Sequence, residues 1–98
     1  MKSVSLVLAL GLVGGSATTA EASSPEAWAE LFKRATAACV KASELKKARA
    51  GTPVDFSDKV LVVVDGHYPQ PHMKNAAARF ACLYDKRTRT TEVAELPR

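Results

Sequence analysis

A chain of 98 residues with a formal net charge of +4 has room for one domain and excludes the large α/β folds that carry nucleotide cofactors. With 47% apolar and 24% charged residues it is neither a disordered charged tail nor a collagen-like repeat. What remains is a small α+β domain, with two cysteines available to hold it together.

The chain opens on Met1-Lys2, followed by a nearly unbroken apolar run from Val4 to Val13 and then by small residues up to Ala22. A charged start, a short apolar stretch and a small-x-small site together predict a cleavable signal peptide over residues 1–22. Ala20-Glu21-Ala22 fits the cleavage pattern best and Thr18-Thr19-Ala20 second. The apolar run is shorter than the roughly 18 residues that span a bilayer, so no permanent membrane anchor is expected. Export, to a periplasm or to the medium, leaves a single domain over residues 23–98. Its charge stays at +4, because the leader carries one Lys and one Glu.

Ser23-Ser24-Pro25-Glu26 reads as a helix start, with a serine cap, a proline in the first turn and an acid at the positive end of the dipole. Trp28, Leu31, Phe32, Ala35, Cys39, Ala42 and Leu45 then recur at steps of three and four as one apolar stripe. Lys46, Lys47 and Arg49 suit the negative end, and Gly51 and Pro53 stop the helix, which is expected from about Pro25 to Ala50 with Ser43 the natural place for a break. Lys59 to Asp65 is a β-branched run bounded by Asp58 and Gly66, the first strand. Arg79 to Tyr84 alternates as a second, with Phe80, Cys82 and Tyr84 on one face. Asp85 to Thr88 makes a polar turn into a weaker third strand, Thr90 to Glu95.

In an oxidising compartment Cys39 and Cys82 are most simply one intramolecular disulfide, closing a loop of about 44 residues and stabilising the fold by roughly 4 kcal/mol. A domain this small needs such a staple, since its core alone supplies roughly 3–5 kcal/mol. The bridge sets the helix stripe on the Phe80/Cys82/Tyr84 face. The expected architecture is α+β, one long N-terminal helix on a three-stranded antiparallel sheet (α-β-β-β). One feature strains this plan. The first strand is apolar on both faces, Val60/Val62/Val64 and Leu61/Val63, as in a strand covered twice. With one helix available, the patch of Leu61, Val63 and Leu83 requires a loop, a second copy or a partner as its cover.

The segment from Gly66 to Asn75 is longer than an ordinary hairpin loop. Pro69 and Pro71 stiffen it toward an extended, polyproline-like path, so His67, Tyr68, Pro69, Gln70, Pro71, His72 and Met73 form a candidate interaction loop. Imidazole and thioether ligands at His67, His72 and Met73 suit copper, and the imidazoles suit zinc, but the spacing fixes no geometry and no metal or other cofactor is assigned. No nucleophile elbow, His-Glu-x-x-His or phosphate loop occurs, so no catalytic residue and no enzymatic activity is expected. The basic clusters Lys46/Lys47/Arg49 and Lys86/Arg87/Arg89 read as solvated ends of elements. They carry no nucleic-acid module, and in an exported protein their counterpart is weak contact with anionic envelope surfaces. The plan is similar to that of small exported binding and inhibitor domains, an analogy of architecture that assigns no activity. The reading is therefore a non-enzymatic interaction domain whose partner is another protein or a second copy. The alternatives are a periplasmic copper- or zinc-binding protein and a structural envelope component.

Overall fold

A computed structural model describes residues 24–97; the expected leader and its cleavage site lie outside the described residues. The described residues fall into two units, 24–31 and 32–97. In the first, the helix begins as its sequence dictates. Ser24 Oγ accepts the Ala27 amide at 3.1 Å, and the Trp28 amide donates to Ser24 O at 3.1 Å, so the cap satisfies donors that the first turn leaves open. Trp28 itself stays 36% exposed and is not part of the buried core.

The helix, α1, spans Pro25–Ser43. It does not continue to Ala50. Glu44 takes φ 56°, a left-handed position that ends the helix, and its amide donates to Lys41 O at 3.2 Å. Ser43 Oγ donates to Val40 O and accepts the Leu45 amide, so the buried serine turns the chain away from the axis. The residues assigned to the last turns of the helix instead form strand β1, Lys46–Ala50. Their helix propensity is overridden because β1 pairs along an edge of the central strand that would otherwise be open.

The sheet is antiparallel and has five strands rather than three: β1, β2 (Val54–Asp55), β3 (Lys59–His67), β4 (Ala77–Asp85) and β5 (Thr91–Glu95). Their order is β1-β3-β4-β5, with β2 also on β3, continuing the edge that β1 begins. The α+β class, the helix-on-sheet packing and the bridge stand as expected; the two additional strands come from the segment between α1 and β3, where short length and Pro53 hide any alternation.

Cys39 on α1 is bonded to Cys82 on β4, with Cα atoms 5.7 Å apart. Around the bond lies the core: Ala35 and Cys39 of the helix with Val60, Val62, Val64, Ala78, Cys82 and Tyr84 of the sheet, each at most 2% exposed. Every sheet member of that set is even-numbered. The register pairs Val60 with Tyr84, Val62 with Cys82 and Val64 with Phe80, so one face of the β3–β4 hairpin is packed and the odd-numbered face is not.

Candidate functional site: the open face of the sheet

The unpacked face is ordered in rows that run across the strands. In the middle lie Val63, Ala81 and Ala94, and beside them Val54, Leu61, Leu83 and Glu92. Toward the β3–β4 loop the next row is Arg49, Asp65 and Arg79; at the opposite end it is Lys59 and Asp85. Leu61, Val63 and Leu83, the patch read from the sequence, thus sit together on one face, all half-buried, with Val54 48% exposed at their flank.

Ion pairs frame this apolar window. Arg79 Nε lies 2.7 Å from Asp65 Oδ1, and Lys59 Nζ lies 3.0 Å from Asp85 Oδ2. The hydrogen bond to Asp65 pushes the Arg79 guanidinium further up, and the one to Asp85 does the same for the Lys59 amine. Asp85 is held far below the usual carboxylate range. The Thr88 amide, Lys59 and the Arg87 amide all donate to it, the amides at 2.9 and 2.8 Å. The face thus has a hydrophobic centre and a polar, ion-paired rim.

Open clefts mark both ends of the window. One, of about 550 Å³, is lined by Lys47, Arg49, Asp65, His67 and Arg79, and the other, of about 280 Å³, by Lys59, Leu83, Asp85 and Glu92. The first exists because β1 bulges: Lys46 pairs with His67 and Arg49 with Asp65, which leaves one extra residue in β1, and Lys47 takes φ 51°. Gly66 permits this approach. A Cβ there would stand 2.8 Å from both Leu45 Cβ and Lys46 O.

The loop after β3 behaves differently from the extended arm its prolines suggested. Gln70 is extended, but Pro71 opens a 3₁₀ turn, Pro71–Met73, closed by Lys74 at φ 51°. The turn folds on itself, with Met73 N donating to Gln70 O and Ala76 N to Met73 O. Tyr68 lies edge-on to Phe80, ring centroids 6.3 Å apart, and its hydroxyl donates to Glu95, which raises the phenol above its ordinary range. Both contacts belong to the helix side of the sheet. His67 alone of the loop candidates lines the open face. Its Nδ1 lies 3.1 Å from Asn75 O, and because a carbonyl only accepts, Nδ1 carries the proton. Pro69, Gln70, Pro71 and His72 are exposed, and Met73 is half-buried within the turn. Leu61 stands six residues along β3 from His67, about 20 Å from the end where this turn sits. Among the described residues no three His, Cys, Asp or Glu side chains gather as a metal site, and no helix is long and apolar enough to cross a membrane.

Sequence reasoning found the apolar patch but missed its frame. Lys59 and Asp65 read only as the ends of a strand and Asp85 as part of a polar turn, because their partnership depends on a register that alternation alone does not fix. Lys86, read as solvated, is also engaged. Its Nζ meets Asp55 at 2.7 Å and Phe56 O at 2.7 Å, tying the turn after β2 to the far end of the sheet. No family model, no curated protein and no solved structure matches the chain.

Proposed function

We propose that this is an exported, non-enzymatic interaction domain, stapled by its disulfide, that docks a protein on the open face of its sheet. The observation that carries the reading is the window of Val54, Leu61, Val63, Ala81 and Leu83, bounded at each end by an ion-paired row. Contiguous apolar surface rimmed by polar groups costs solubility and is characteristic of interaction sites. The charged groups beside it neutralise one another, which makes them a frame that orients a partner rather than a poised acid and base. The leader-like first 22 residues and the paired cysteines both suit an oxidising compartment outside the cytoplasm.

Affinity capture from envelope extract with immobilised wild-type protein and with the folded Leu83→Lys variant tests this. A protein retained by the wild type and lost with the variant is the expected result. Identical capture profiles from the two would remove the open face from the function.

A further inference from the structure

We propose that the open face is self-complementary and that its occupant is a second copy of this chain, packed face to face about a two-fold axis that runs across the strands. The inference rests on the reading of this face as a docking surface and names the partner.

The argument is the arrangement of the four framing charges. On β3 Lys59 stands at one end and Asp65 at the other; on β4 Asp85 pairs across from Lys59, and Arg79 across from Asp65. The signs alternate around the four corners of the window, positive, negative, positive, negative. Its centre is the row Val62–Cys82, three residues from each corner along either strand. A half-turn about an axis across the strands through that row sets Lys59 over the partner's Asp65 and Arg79 over the partner's Asp85. All four corners meet the opposite sign. Leu61 then lies over the partner's Val63, and Leu83 over the partner's Ala81. An isologous interface needs this match of one patch with itself.

A half-turn about an axis along the strands would also oppose unlike corners, and the flanks decide between the two. That axis would set Val54 over the partner's carboxylate at Glu92. The axis across the strands sets Val54 over the partner's Gly51, whose amide donates to Val63 O, and Arg49 over the partner's Phe56. Phe56 is 50% exposed and its amide donates to Lys59 O, continuing the register of β2. Either axis sets Glu92 over an apolar residue of the partner, Val54 for the axis along the strands and Ala94 for the axis across them, so the guanidinium over an exposed ring is what favours the second.

Four strands about 4.8 Å apart and roughly 20 Å long offer a face of about 400 Å² per copy. That is about half of the ~800 Å² a standard interface buries on each partner, so the dimer is weak and half-dissociated in the micromolar range or above. Rim ion pairs add little affinity, but they fix the orientation.

Sedimentation equilibrium of the exported protein without its leader, purified under oxidising conditions and followed from micromolar to millimolar concentration, tests the proposal. The wild type is expected to pass from monomer to dimer. Leu83→Lys is expected to weaken association by at least about tenfold. The double variant Asp65→Lys, Arg79→Glu keeps a cross-strand pair within each copy but makes both ends of β3 positive and both ends of β4 negative. It is expected to be folded, by an unchanged far-ultraviolet circular dichroism spectrum, and monomeric. A wild type that stays monomeric to millimolar concentration overturns the proposal, as does a dimer that survives the charge exchange. The first of these outcomes, together with capture of another protein that Leu83→Lys abolishes, would leave the docking face standing and remove only the second copy.

Discussion

Asp85 shows how much one side chain does where the chain reverses. It accepts the Arg87 and Thr88 amides in the turn after β4 and also holds Lys59 on β3, so a single carboxylate closes one hairpin and frames another. Its folded-state pKa lies below its unfolded one. The stability it contributes is therefore complete above the ordinary carboxylate range and is lost as pH falls through that range and below. Denaturant titrations of the wild type between pH 6 and about pH 2 should show this decline, and Asp85→Asn should flatten it. Arg89 in the same turn sits at φ 64°, a left-handed position that strains a side chain. At Gly66 the backbone of β1 occupies the space of a Cβ, and Gly66→Ala should cost about 2 kcal/mol in the same titrations.

Among the elements, α1 and β3–β4 carry the fold, and the bond between Cys39 and Cys82 joins them. Removing both sulfurs as Cys39→Ser, Cys82→Ser should lower unfolding free energy by about 2–5 kcal/mol, enough to abolish folding near 37 °C in a domain of this size. The helix start, the central hairpin and the bridge were legible because each has a local signature: Ser24-Pro25-Glu26, the β-branched run from Val60, and two cysteines facing one stripe. β1 was not, because Lys46-Lys47-Ala48-Arg49-Ala50 is good helix sequence, and only the open edge of β3 makes it a strand. The apolar half of the site was visible in Leu61 and Val63, which break the alternation of a one-sided strand. Its charged half required the register, which the long loop after β3 leaves open in sequence. Lys86 belongs to the same scale, since it anchors the β2–β3 turn from across the sheet. Lys86→Met should speed hydrogen exchange at the Phe56 amide, which donates to Lys59 O, while leaving the Val62 amide slow.

Over the molecule as a whole, the two faces of one sheet differ in how far they are covered. The even-numbered face, under the helix and the disulfide, holds the core; the odd-numbered face is the one we propose for docking. Two neighbouring positions on β3 test this division directly. Val62 is fully buried against the helix side, and Leu61, one residue earlier, is half-buried on the open side. Equilibrium unfolding of Val62→Ala and Leu61→Lys, measured in parallel against the wild type, is the most direct test. Truncation at Val62 opens a cavity in the core and should cost about 2–3 kcal/mol, whereas a lysine at Leu61 keeps its charge in water and should cost under about 1 kcal/mol. Equal or greater destabilisation by Leu61→Lys would show that the open face is ordinary core, and the division of the sheet into a structural and a binding side would fall.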